Sequence, residues 1–179
     1  MENLREIINN FQEEDFKDKV NLHIHTFYSD GLADPEEIIK SAKEKGYKLI
    51  AITDHNTAEA HNIIQDKILL TGAEFDCWFG YVFIHLLAYG IDINHPDLQP
   101  FLAKDKKGTE DVIPRLFAKR NVKKLISAIH NADGIEVYYP YPRFRKFAKF
   151  HSADAVKKIA DKYPKLLKTG GTDFHGEKF

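Results

Sequence analysis

An α/β fold with a largely parallel sheet is predicted by three observations. Short apolar runs alternate along the chain with amphipathic, capped stretches. Several of those runs end in a histidine or a carboxylate, where strands of α/β proteins feed their functional loops. No repeat, low-complexity tract or linker divides the 179 residues, a length that suits one domain burying roughly 70% of its unfolded surface.

Taken in order, residues 3–16 read as an amphipathic helix, with Leu4, Ile7, Ile8 and Phe11 on one face and Glu and Asn opposite. This helix is expected to lie within an extension, residues 1–19, packed on a domain spanning 20–179. Val20–His25 alternates as a strand, and Ser29-Asp30-Gly31 is turn chemistry. Asp34 then caps a helix with Pro35 at its first position and Glu36 and Glu37 in its first turn; Ile38, Ile39 and Ala42 form its apolar side, and Gly46 stops it. Leu49–Thr53, Leu69–Glu74 and Tyr81–Tyr89 read as strands. Leu116–Asn131 has helical tendency with Gly134 as its stop, and Ile135–Tyr138 is a strand. Ser152 caps a last helix through Lys162, and Leu166–Gly170 leads to the C-terminal motif.

Composition narrows the function classes. Hydrophobic residues are 43% and charged residues 30%, ordinary for a soluble globular chain. Lys and Arg number 26 against 27 Asp and Glu, so there is no overall basic excess of the kind that drives nucleic-acid binding by charge. The single cysteine, Cys77, excludes an intrachain disulfide and a Cys-rich zinc site. No apolar run approaches the ~18 residues of a membrane span, and the start MENLREIINN has no basic region followed by an apolar stretch. The expected setting is cytoplasmic. Nine histidines, several beside acidic residues, stand out.

The first cluster is Asn21-Leu22-His23-Ile24-His25-Thr26. Alternation along a strand points His23 and His25 to one face and Leu22 and Ile24 to the packed side. Paired imidazoles suit a divalent transition metal, although an exposed histidine pair is common without one. In Ile52-Thr53-Asp54-His55-Asn56 an apolar strand runs into a polar tip. Asp54 either terminates the strand or orients a neighbouring imidazole. Glu74 ends another apolar run, as a ligand or as a solvated strand end. His85, flanked by apolar residues, reads alone as a hydrogen-bonded core histidine. Asp173 and His175, again two apart, follow Gly170-Gly171, whose backbone permits close approach. If the strands share one rim, these residues make a multinuclear His/carboxylate site, which can activate water and clamp phosphoryl oxygens. The same groups packed together without a metal would be costly.

With these motifs in place, the chain from about Val20 to Gly176 resembles the PHP (polymerase and histidinol phosphatase) family, closest to its small stand-alone phosphoesterases. The resemblance is carried by Asn21–Thr26 with Ser29-Asp30-Gly31, Ile52–His55, Gly72-Ala73-Glu74, His85–Gly90, Gly134–Pro140 and Gly170–Gly176. It implies a distorted (β/α)7-like barrel holding two to three divalent ions (Mn, Fe or Zn) at the strand carboxyl ends. By motif, His23, His25, Glu74 and Asp173 resemble the ligands of one metal, and Asp30, His55 and His175 those of another. Glu74 and His85 resemble part of a third site, bridged to the first through Glu74. The chain departs from the family pattern where an Ala-His-Pro strand end is normally found: Asn131-Ala132 runs almost directly into Asp133-Gly134-Ile135. The expected architecture is therefore a trimmed barrel with an N-terminal helical extension.

The function so implied is hydrolysis of a phosphate mono- or diester, of a nucleotide or other small phosphorylated metabolite, by metal-activated water. His25, His175 and Asp54 are the candidates for proton transfer, and Arg143 and Arg145 are placed to reach a substrate phosphate. Two alternatives stand beside it. One is a nuclease on short oligonucleotides, with Tyr138, Tyr139, Tyr141 and Phe144 as a stacking platform. The other is a degenerate metal-binding domain without activity, in which a homodimer covers the trimmed barrel edge. No membrane partner is expected. His130 reads as a helix residue, His151 as a helix-start residue, His61 and His95 as solvated, and Lys104–Lys107 as a solvated face.

Overall fold

Leu49-Ile50-Ala51-Ile52 forms β2 (Leu49–Ile52), a strand with no polar residue, and every side chain in it is buried because both faces are covered. Leu49 and Ala51 pack with Ile8, Phe16, Val20 and Leu22; Ile50 and Ile52 pack with Ile24, Ile38, Ala42 and Ala60. Each fully buried Ile or Leu contributes about 1.5–3 kcal/mol. The computed structural model describes residues 3–79, 82–109, 132–138 and 153–179.

Around β2 the described strands are β1 (Val20–Ile24), β3 (Leu69–Leu70), β4 (Gly72–Phe79), β5 (Val82–Tyr89), β6 (Gly134–Tyr138) and β7 (Leu167–Gly170). Sheet β1-β2-β3 is parallel, as is the β6-β7 pair. The expectation of a largely parallel sheet fails at β4-β5, an antiparallel hairpin with Gly72 opposite Tyr89 and Phe79 opposite Val82. The expected strand Leu69–Glu74 accordingly splits: Leu69–Leu70 continues the parallel sheet, and from Gly72 the chain pairs with β5. Single parallel bridges, Ile24 with Phe174 and His55 with Glu74, join the three sheets along one rim.

A bulge in β1 changes the expected facing of Leu22 and Ile24. Asn21 aligns with Ile50 and Ile24 with Ile52, so β1 carries one extra residue. Leu22 and Ile24 therefore enter different core clusters.

The described helices are α1 (Leu4–Asn9), α2 (Pro35–Glu44), α3 (Ala60–Ile63) and α4 (Ala153–Ala160). The expected helix over 3–16 breaks after Asn9 and resumes as a 3-10 turn at Glu13–Lys17, where Gln12 and Asp15 make a reciprocal capping box. Its apolar face still docks, with Ile8 and Phe16 buried against β1 and β2. Asp34 caps α2 by accepting from Glu36 N at 2.8 Å, and Gly46 ends it at φ 81°. The helix expected at 116–131, the Ser152 cap, the aromatic residues 139–144, Arg143, Arg145, His130 and His151 lie outside the described residues. Among those described, no helix is long and apolar enough to cross a membrane.

Candidate metal centre

Two glycines let the backbone close around β1. A Cβ on Gly171 would stand 2.3 Å from His23 Cβ, and one on Gly31 would stand 2.6 Å from the His25 carbonyl group. The loop after β7 can thus lie directly on His23, where Phe174 O accepts from His25 N at 2.8 Å. Asp173 adopts φ 51°, an uncommon left-handed conformation for a residue other than glycine. The Asp30 turn is clipped from outside by Lys106, whose ammonium donates to the carbonyls of Ser29 and Phe27. That lysine belongs to the stretch expected to be a solvated face.

The result is one crowded rim. His23 Nε2 and His25 Nε2 each lie 3.1 Å from Glu74 Oε2, and stand 3.4 and 3.3 Å from Asp173 Oδ1. His175 Nε2 is 3.0 Å from Asp30 Oδ1, and His55 Nε2 is 3.8 Å from Asp30 Oδ2. His85 Nδ1 is 2.7 Å from Glu74 Oε1. Three groups have ligand atoms mutually within 4.8 Å: His25, Asp30, His55 and His175; His23, His25, Glu74 and Asp173; and His55, Glu74 and His85. The eight side chains singled out as metal-ligand candidates in the sequence are all brought together.

Tautomers are arranged to leave nitrogens facing inward. His23 Nδ1 donates to Glu136 at 3.1 Å, His175 Nδ1 donates to the Asp173 carbonyl at 2.9 Å, and His25 Nδ1 faces Ser29 Oγ at 3.4 Å. Ser29 Oγ in turn donates to Asp54 Oδ1 at 2.6 Å. Holding the outer nitrogen in this way is how proteins orient metal-ligating imidazoles. The buried atoms His25 Nε2, His55 Nδ1 and Asp30 Oδ1 make no hydrogen bond of good geometry, although oppositely charged partners stand near. Atoms that converge without bonding one another fit a cation between them, and the N/O donor set fits a divalent metal.

Charge tells the same story. Burial opposes ionisation of Glu74, but the imidazoles of His23, His25 and His85 close to its oxygens outweigh it and hold the carboxyl well below the usual range. Burial also opposes protonation of His23, His25 and His175. Glu136 and Glu74 nevertheless raise His23 well above its ordinary value, Asp173 and Glu74 raise His25, and Asp30 with the Asp173 carbonyl raises His175 to about 9. His55 goes the other way: burial lowers it despite Glu74, and neighbouring His25 and His85 add repulsion. Without a cation, the carboxylates make His23, His25 and His175 more ready to hold a proton.

Asp54 sits beneath the rim rather than on it. It is buried and accepts from Thr26 N and Thr26 Oγ1 at 2.7 Å as well as from Ser29. It therefore acts on His25 only through Ser29.

Three residues escaped the sequence reading. Glu136, which lies within one of the motifs but was given no role, is the acceptor for His23. Asp76 lies two residues beyond Glu74 on β4, so the alternation argument used for His23 and His25 would have found it. His61, expected to be solvated, is buried: Ala60–Ile63 tucks under the rim, and its Nε2 lies 3.0 Å from Ile52 O and 3.1 Å from Gly72 N. Its Nε2 pairs with one or the other of these backbone groups, according to which ring nitrogen carries the proton. His95 is exposed.

A family model for the PHP domain matches residues 21–168. The chain is 31% identical over 168 residues to the 5'-3' exoribonuclease Rnm of Salmonella typhimurium, covering 86% of this chain and 55% of that protein. It is 32% identical over 95 residues to the 3',5'-nucleoside bisphosphate phosphatase of Chromobacterium violaceum, covering 50% of this chain and 33% of that one. The chain thus spans about half the length, or less, of these curated relatives. Its fold is similar to that of a protein from Bifidobacterium adolescentis described as a candidate metal-dependent phosphoesterase, with TM-score 0.63, 19% identity, and 89% and 88% of the two chains covered. It is also similar to an amidohydrolase from Chromobacterium violaceum solved with bound sulfate, with TM-score 0.67, 16% identity and 88% of each chain covered.

Proposed function

The chain belongs to the PHP domain family, and from that premise we propose that it is a metal-dependent phosphoesterase that hydrolyses a phosphate mono- or diester. The observation that carries this reading is the convergence of His23, His25, Asp30, His55, Glu74, His85, Asp173 and His175 from distant parts of the sequence on one rim. The architecture we infer is the trimmed, distorted (β/α)7-like barrel, with these residues at its strand carboxyl ends.

In this reading His23, His25, Glu74 and Asp173 hold one ion, Asp30, His55 and His175 hold a second, and Glu74 with His85 contributes to a third. Divalent ions such as Mn, Fe or Zn would supply a hydroxide at neutral pH and neutralise the phosphoryl oxygens. The chain's own part is to orient and to exclude. Glu136 fixes the His23 tautomer through Nδ1, and the Ser29–Asp54 pair does the same for His25. His175, about one-third exposed, closes the solvent side of the second ion, with Nδ1 held by the Asp173 carbonyl and Nε2 turned inward. Arg143 and Arg145 are proposed, from their place after β6, as contacts to the substrate phosphate.

A second reading, a nuclease on short oligonucleotides, is favoured by the match to an exoribonuclease over 86% of this chain. Comparing turnover of a 5'-phosphorylated short oligoribonucleotide with that of a 3',5'-nucleoside bisphosphate separates the two. The common test is metal content and Mn-dependent hydrolysis of a generic mono- and diester. His23→Ala with Asp173→Ala should cut turnover by more than the roughly 10–100-fold of an outer-shell change. Undiminished activity in that double variant overturns the proposal. Bound metal with no hydrolysis of any ester, together with a stable dimer by light scattering, would instead mark a degenerate domain.

A further inference from the structure

We infer that Asp76 is itself a metal ligand, completing a third divalent-cation position with His85 and the shared carboxylate of Glu74. This rests on the metal-centre reading of the same rim and extends it to a residue that the family motifs do not include. Asp76 and Glu74 lie on one face of β4, and register puts Asp76 directly opposite His85 on β5. Asp76 Oδ1 stands 3.5 Å from His85 Nε2 and 3.7 Å from His55 Nδ1. It is buried and makes no hydrogen bond of good geometry, and neither does Glu74 Oε1 two residues before it on β4. Two buried carboxylate oxygens on one strand face, both acceptors and neither hydrogen-bonded in good geometry, leave room for something that both can bind. A water or a cation could fill such a gap.

Charge decides in favour of the cation. A neutral imidazole from His85 leaves only Glu74 to balance a dication, and Glu74 is already committed to His23 and His25. A second carboxylate at this position supplies the missing charge. Its other oxygen is fixed independently: Oδ2 accepts from Asn56 Nδ2 at 3.0 Å, while Asp76 N donates to Asn56 Oδ1 at 3.0 Å. Asp76 is thus held in one rotamer with Oδ1 aimed inward, which is the preorganisation a ligand needs.

The test is manganese binding to metal-stripped protein by equilibrium dialysis with elemental analysis. Wild type should take up three ions. Asp76→Asn keeps an acceptor for Asn56, so it should fold, and it should weaken only the weakest ion, at least tenfold. His85→Ala should do the same, and the double variant should weaken that ion no further. Should Asp76→Asn not fold, manganese-loaded wild type answers without a substitution: an anomalous-scattering peak within bonding distance of Asp76 Oδ1 supports the inference, and its absence overturns it. Uptake of only two ions, or an unchanged third affinity in Asp76→Asn, overturns this inference and leaves the metal reading standing. No bound manganese in wild type overturns both.

Discussion

The parallel layer and the hairpin supply ligands to the same rim in different ways. In the parallel layer, His23, His25 and His55 are almost wholly buried beside cores on both faces, and glycine contacts too close for any side chain hold His23 and His25. On the hairpin, Glu74 is buried but His85 is about one-third exposed, and its neighbour Leu86 is 46% exposed. The hairpin places its ligands by cross-strand register rather than by close packing. Geometry in the first region should therefore be rigid and intolerant, whereas the second should tolerate surface change.

The largest effect is expected in the parallel layer. Gly171→Ala would drive a methyl into His23, destabilising the fold by about 3 kcal/mol, or roughly 10 °C in melting temperature. A melting temperature within a degree of wild type would break the comparison.

Next comes pH. His175 is raised to about 9, and His23 and His25 are raised too. Their stabilisation of the metal-free protein is fully present below the unfolded histidine value near 6.5 and is lost as pH rises through the folded values. The melting temperature of metal-free protein should therefore fall between pH 6.5 and 9. Manganese binding should tighten over the same range, because each ligand must first lose its proton. Melting curves with and without manganese should diverge as pH rises; parallel trends would contradict the assignment.

Much of this arrangement was legible in the sequence. Strands bounded by capped helices gave away β1, β2 and α2, since alternation and helix caps are local signals. Convergence of His23 with Asp173 was legible through the motifs. What local signals cannot carry is pairing direction: nothing in Gly72–Phe79 says that it turns back on Val82–Tyr89 rather than crossing over. The β1 bulge is equally hidden, because only alignment with β2 reveals the extra residue. His61 was misjudged because its partners are backbone groups of Ile52 and Gly72, which no side-chain pattern announces.

A smaller effect follows from Glu136, which touches the site only through His23. Glu136→Gln should weaken manganese at the His23 position roughly tenfold and leave the fold intact, as measured by dialysis. Smallest of all, Leu86→Ser on the exposed hairpin face should change stability by no more than about 0.5 kcal/mol and leave metal uptake unchanged. A larger loss would show that this face is covered.

The central claim is that side chains as distant in sequence as His23 and Asp173 hold one cation, which Glu74 bridges to the cation beside His85. Electron paramagnetic resonance of the manganese-loaded protein tests it most directly. Ions sharing one carboxylate should give the spectrum of exchange-coupled spins, and Glu74→Gln should abolish the coupling. A spectrum of isolated, uncoupled manganese at full loading would contradict the account.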